Sequence, residues 1–187
     1  MSNARKLDHA ATRVDLEGLP ENVVGEIIDG VMYTQPRPRS RHAFSEGSIF
    51  ADLRGPFDRG RNGPGGWWIL VEPGIELPQA PEVSPDVAGW RRERLPTLPD
   101  GPITVVPDWV CEILSTNRAY DLRIKRPFYA RIGVSFMWLV DLEGKTVTAS
   151  ALEGGRWVEV AVFGEEDRAA RIPPFDAIEL DVSGWWA

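Results

Sequence analysis

Residues 23–35, "VVGEIIDGVMYTQ", set two short apolar runs on either side of Asp29-Gly30. That dipeptide suits the positive φ angles of a tight turn, so the stretch predicts an N-terminal β-hairpin. Downstream, "SRHAFSEGSIFADLR" places Ala43, Phe50 and Leu53 at roughly helical spacing behind Ser40, a residue able to cap, and predicts a helix from about Arg41 to Leu53. The loop "GPFDRGRNGPGG" separates this helix from apolar runs that predict strands at "WWILVEPGIEL", "EVSPDVAGW" and "WVCEIL". A helix over about 119–131 leads to another strand, "VSFMWLVDL", and "KTVTASAL" with "RWVEVAVF" predict a closing C-terminal β-hairpin. Hairpin, helix, strands, helix, strands is the order of an α+β domain, α/β-like in its middle, with a mixed β-sheet flanked by few helices.

Within two of these strands the alternation of faces isolates a carboxylate. In "PDWVCEIL", Asp108, Val110, Glu112 and Leu114 share one face, while Trp109, Cys111 and Ile113 share the other. In "VSPDVAGW", Ser84, Asp86 and Ala88 oppose Val83, Pro85 and Val87. An acid within a sheet is costly unless it is paired, hydrogen-bonded or metal-bound. Two partners are open. One is structural: an arginine for Glu112, with Asp86 exposed at a strand end near a turn at Gly89. The other is a divalent cation such as Mg²⁺, which takes one or two carboxylates and keeps waters that phosphate oxygens can replace. In the second case a nearby lysine could orient or deprotonate a water and offset charge on a phosphate. Lys125 is the candidate: the chain has only three lysines, Lys6, Lys125 and Lys145, and its other cations are arginines.

Composition narrows the setting. With 187 residues, 43% hydrophobic, the chain is expected to fold as one domain over 1–187, with residues 1–20 a poorly structured segment. No apolar stretch is long enough to span a bilayer and no signal-peptide core is evident, which predicts a cytoplasmic protein without a membrane partner. The single cysteine, Cys111, sits in a predicted core strand and is expected to pack rather than react. A net charge of −7 argues against coating nucleic acid through a general positive field. Arginines nevertheless gather in "RPRSR", "WRRER" and "RIKRPFYAR", which could line one groove or simply be solvated. The terminal pair Trp185-Trp186 is expected to dock onto the sheet or onto a second subunit of a homodimer.

Pro85-Asp86, Glu112 in "VCEILS" and a lysine on the next helix together resemble the PD-(D/E)xK nuclease superfamily in its migrated-lysine form. More closely, "GEIIDGVMY", "RPRSRHAF", "VSPDVAGW", "PDWVCEILS", "YDLRIKRPFYARIGVSFMWLVD" and "FDAIELDVSGWW", in this order, resemble the Uma-two family of restriction endonucleases. The resemblance implies a restriction-endonuclease-like core, Mg²⁺ (or Mn²⁺) held by Asp86 and Glu112, the backbone carbonyl of Ile113 as a further ligand, Lys125 in catalysis, and DNA as substrate. Leu114 stands where the commoner motif has its lysine, so activity depends on Lys125. Pro127 is expected to bend or restart the helix just after it. Asp121, Lys125 and Tyr129 would share one face of a continuous helix, with Asp121 either positioning the lysine or forming an exposed i,i+4 pair. Glu26 and Glu46 could add a carboxylate to the site, although a solvated role is expected for each; His42 could contact phosphate or pack.

The reading is a Mg²⁺-dependent endonuclease that hydrolyses DNA phosphodiesters. Its rival is a catalytically silent binding or assembly module of the same fold, and a small-ligand-binding β-rich domain is a third reading that leaves the paired acids unexplained.

Overall fold

A short strand, β1 (Asn3–Arg5), and a helix of five residues, α1 (Arg13–Glu17), lead into the hairpin of β2 (Val23–Ile28) and β3 (Val31–Pro36). This is a computed structural model, and it describes residues 3–5, 7–114 and 117–186. At the hairpin turn Asp29 and Gly30 take φ of 53° and 72°, the positive values expected for it, and Ile28 pairs with Val31. Within the segment 1–20, the described residues include a paired strand and a helix. β1 pairs with β3, and Leu7, Ala11, Leu16 and Leu19 cover Ile27 and Met32, a contact that no simple period in that segment reveals.

α2 (Ser40–Leu53) follows the helical pattern, burying Ser45, Glu46, Ile49 and Leu53. Its N-cap is Arg39 and carries no side-chain cap, so Ser40 is the first helical residue rather than the cap. A π-turn over Arg54–Asp58 then buries Phe57.

The stretch read as one strand at "WWILVEPGIEL" divides into β4 (Trp67–Val71) and β5 (Ile75–Leu77), because Glu72 takes φ of 42° and Pro73-Gly74 turns the chain. Likewise "EVSPDVAGW" divides into β6 (Ala80–Val83) and β7 (Val87–Arg91) around Pro85, which has no N–H to give to a ladder. β8 (Trp109–Ile113), β9 (Phe136–Asp141), β10 (Thr146–Glu153) and β11 (Arg156–Gly164) complete the strands. The strands form two sheets rather than one: β1-β3-β2-β6-β5 and β11-β10-β9-β8-β7-β4. In the larger sheet all pairs are antiparallel except β8 with β9. Parallel neighbours need a crossover. Here it is a helical run over 118–132 made of α3 (Arg118–Tyr120), a π-turn (Asp121–Lys125) and α4 (Arg126–Ile132).

The alternation along β8 separates two cores. Trp109, Cys111 and Ile113 pack with Ile49 and Leu53 of α2 and with Phe175, Val182 and Trp185 from the C-terminal segment. Trp185 therefore docks onto the sheet. Val110, on the opposite face, packs with Tyr120, Phe128 and Tyr129 of the helical run and with Ile28, Ile75 and Val83 of the smaller sheet. Glu112 belongs to this second face. Among the described residues no helix is long and apolar enough to cross a membrane.

Candidate active site

The β7–β8 ladder pairs Val87 with Cys111, Ala88 with Val110 and Gly89 with Trp109. One step further in that register sets Asp86 across from Glu112. The Asp86 carboxylate completes the ladder where Pro85 ends the strand: its Oδ2 accepts the Ile113 N–H at 2.6 Å. Asp86 is thus held at the sheet and is not an exposed strand-end acid. Gly89 makes no turn but lies inside β7, where an added Cβ would come within 3.3 Å of Trp109, Trp67 and Ile69.

Lys125 reaches the same place from the crossover. The π-turn, closed by the Arg126 N–H on the Asp121 carbonyl, widens the helix just before Pro127. That widening suits a residue whose ring would crowd the carbonyl four positions back and which has no N–H to offer it. Asp121, Lys125 and Tyr129 are all turned inward and buried. The Lys125 Nζ donates to Glu112 Oε2 at 2.8 Å and to the Ser84 carbonyl at 3.1 Å, and lies 2.7 Å from Glu112 Oε1. The partner of Glu112 is therefore this lysine, not an arginine.

A second carboxylate completes the lysine's surroundings. Glu26 Oε1 lies 3.3 Å from Nζ and accepts the Ser84 N–H at 2.9 Å, while Oε2 accepts the Tyr120 hydroxyl at 2.8 Å. Glu26 is 2% exposed, so the solvated role expected for it is wrong. Val24, Glu26 and Ile28 share one face of β2, the same signature that marks Glu112 on β8, and this signal could have found it. Tyr129 donates at 2.6 Å to Glu112 Oε1. Neither tyrosine hydroxyl was anticipated from sequence.

From α2, His42 Nε2 lies 3.0 Å from Asp86 Oδ1 without the alignment of a hydrogen bond. Glu46, one turn on, is 6% exposed, and its Oε1 is buried with no hydrogen-bond partner. It too is not the solvated surface acid expected. Asp121 is buried at 4%, which removes the exposed i,i+4 pair and leaves the alternative in which it positions the lysine.

Five acids, Glu26, Glu46, Asp86, Glu112 and Asp121, thus surround one lysine and one histidine, and the excess of acid raises the proton affinity of Glu46, Glu112, Lys125 and His42. Burial pushes Glu112 well above the usual carboxylate range; Lys125 pulls against this while Asp86, Glu26 and Asp121 reinforce it. Burial alone would lower the Lys125 ammonium, but Glu112, Glu26 and Asp86 outweigh it and hold the pKa above that of an ordinary lysine. Burial, then Asp86 and Glu72, push Glu46 up to about 7. Burial would lower His42, but Asp86 and Glu46 reverse the sign and raise it. Burial and the neighbouring acids push the hydroxyls of Tyr120 and Tyr129 up as well.

Such a cluster can take up a cation. Its donors are hard carboxylate oxygens, it carries excess negative charge, and Glu46 Oε1 is buried without a partner. No group of three or more His, Cys, Asp or Glu side chains is arranged to hold a metal among the described residues. Two carboxylates, Asp86 and Glu112, are however the number Mg²⁺ commonly takes. The donor types and the charge suit a hard divalent cation, while both Glu112 oxygens are engaged by Lys125 and Tyr129.

The arginine clusters are largely committed elsewhere. Arg92 pairs with Asp58 and stacks 3.5 Å over Trp68, Arg94 pairs with Asp108, and Arg37 bonds the Glu21 carbonyl.

The fold is of the α+β class expected, in two sheets rather than one, and its crossover helix brings Lys125 to the sheet-borne carboxylates of Glu112 and Glu26. The chain belongs to the Uma2 family, described as "putative restriction endonuclease", whose model matches residues 14–183. It is also similar to a crystal structure described as a "putative nuclease belonging to DUF820" from Anabaena variabilis ATCC 29413. That likeness has a TM-score of 0.69 at 21% sequence identity and covers 87% of this chain and 89% of the other. None of the curated proteins matches the chain.

Proposed function

We propose that the protein is a Mg²⁺- or Mn²⁺-dependent endonuclease that hydrolyses phosphodiester bonds in DNA, with Asp86 and Glu112 as metal ligands and Lys125 as the catalytic cation. One observation carries this reading: the buried Lys125 ammonium touches Glu112 and the Ser84 carbonyl, two residues before Asp86. A strand, a strand end and a helix thereby converge on one point. Membership of a family described as restriction endonucleases supports it.

A cation held by Asp86 and Glu112 would supply positive charge against the scissile phosphate. In the hydrolysis water adds to phosphorus, the P–O bond to one sugar breaks, and that sugar oxygen leaves with a proton. Lys125 acts here by charge: its raised pKa holds it as an ammonium that can hydrogen-bond a phosphate oxygen as negative charge grows there. Removing a proton from water is not a role this environment favours. Tyr129 fixes Glu112, and Tyr120 fixes Glu26, so the carboxylates keep their orientation.

The test is incubation of purified protein with plasmid DNA and Mn²⁺ or Mg²⁺. Nicking that EDTA stops and Lys125→Ala abolishes is the expected result. The second reading, a catalytically silent module, is favoured by one feature: both oxygens of Glu112 are already engaged by Lys125 and Tyr129. It predicts no cleavage with either metal.

A further inference from the structure

The outer side of the helix that carries Lys125 holds a cleft of about 530 Å³ that no part of the site above uses. Arg126, Arg131 and Arg156 line it beside Trp157 and Pro127, and no acid does. In a chain of net charge −7, an all-basic cleft is an exception that ordinary surface composition does not explain.

The cleft is built rather than incidental. The Trp157 indole N–H donates to the Arg126 carbonyl at 2.8 Å, so the tip of the β10–β11 hairpin is pinned to the start of α4. Gly154 and Gly155, at φ of 55° and 76°, make the tight turn that presents Arg156 beside it. Among the described residues neither Arg126 nor Arg156 has a carboxylate partner. Arg131 pairs with Asp29 at 2.6 Å, but both side chains are half exposed, and such a pair is weak enough to yield to a stronger anion. Lys125 is buried among the acids, whereas Arg126, the next residue, lines the cleft.

Guanidinium groups around an indole edge suit a phosphate ester: the forks bind oxygens in pairs, and the ring offers a face to a sugar or base. We propose that this cleft binds a backbone phosphate of a nucleic-acid strand, as a second anchoring point behind the acid–lysine site. The proposal rests on the nuclease reading for its ligand class.

The test is binding of a labelled DNA duplex, followed by fluorescence anisotropy in EDTA over a range of salt concentrations. Arg126→Ala/Arg156→Ala should weaken binding about ten-fold and reduce the slope of log K against log salt by about 0.9, the share of one lost phosphate contact. Arg59→Ala/Arg61→Ala removes the same charge from the loop before β4 and should leave the slope unchanged. Neither Arg126 nor Arg156 makes an ion pair, so an unchanged melting temperature confirms folding. An equal loss in the loop variant would show a general field and overturn the site, as would an unaltered slope in the cleft variant. Deoxyadenosine monophosphate binding as tightly as duplex would overturn the strand-phosphate assignment in favour of a mononucleotide site. Cleavage is read separately: a reduced slope in a protein that never cuts keeps the cleft and refutes the nuclease, and an unaltered slope in a protein that cuts refutes the cleft alone.

Discussion

The ammonium of Lys125 lies against both oxygens of Glu112, 2.7 Å from Oε1 and 2.8 Å from Oε2, in a site where each residue is 2% exposed. Breaking a buried pair by removing one partner leaves an uncompensated charge, which costs about 3–5 kcal/mol. Lys125→Ala should therefore lower metal-free stability by that order in urea unfolding. A change below about 1 kcal/mol, in the range of exposed pairs, would mean that the pair is solvated.

The same contact sets a competition. Lysine and a divalent cation both claim Glu112, so Mg²⁺ or Mn²⁺ should raise the melting temperature of the wild type by mass action, and raise that of Lys125→Ala more. Asp86→Ala should abolish the increase in both backgrounds. If Asp86→Ala responds to metal as the wild type does, the ion is held elsewhere.

Glu46 gives a pH dependence with a definite sign. Its folded pKa, about 7, exceeds the ordinary value of 4.5, so between these values the folded state binds more protons than the unfolded state. Stability assigned to this group therefore falls as pH rises from about 4.5 to 7, by up to about 3 kcal/mol. Glu46→Gln should be close to neutral in urea melts at pH 4.5 and stabilising at pH 8. Equal effects at the two pH values would show that the carboxyl has an ordinary pKa.

Much of this was legible in the sequence because the strands alternate cleanly. The faces of β8 sort into the two cores as its residue types require, and Asp29-Gly30 makes the turn its chemistry demands. The two-sheet arrangement was harder to read. Glu72-Pro73-Gly74 and Ser84-Pro85-Asp86 each carry the chain from one sheet to the other, and an apolar run does not show which sheet its ends join. Glu26 escaped for a related reason. Its burial depends on the smaller sheet closing over the helical run, a contact between residues as far apart as Glu26 and Tyr120. The π-turn is likewise invisible to a 3.6-residue period, although Pro127 marks its place.

The Tyr120–Glu26 hydrogen bond is itself testable. Tyr120→Phe keeps the ring, which packs 5.0 Å from that of Tyr33, and removes only the hydroxyl from a buried carboxylate. The loss should be about 1–3 kcal/mol. If Glu26 also steers Lys125, cleavage should slow while metal-dependent stabilisation persists. Wild-type cleavage in a destabilised variant would confine Tyr120 to the fold.

Lys125→Arg separates charge from shape. The acceptors around Nζ, at 2.7–3.3 Å, belong to Glu112, Glu26 and Ser84 and converge on a point, which suits a compact ammonium. A planar guanidinium is larger, and its fork would have to displace the Glu112 carboxylate or the Tyr129 hydroxyl bonded to it. The variant should keep the charge yet lose stability by about 1–3 kcal/mol through overpacking, and should cleave little better than Lys125→Ala. Lys145→Ala is the control, since Lys145 pairs with Glu165 at the exposed β10–β11 end of the sheet, and it should cut as the wild type does. Full activity in Lys125→Arg would mean that any fixed positive charge suffices and that the compact geometry around Nζ serves the fold rather than the chemistry.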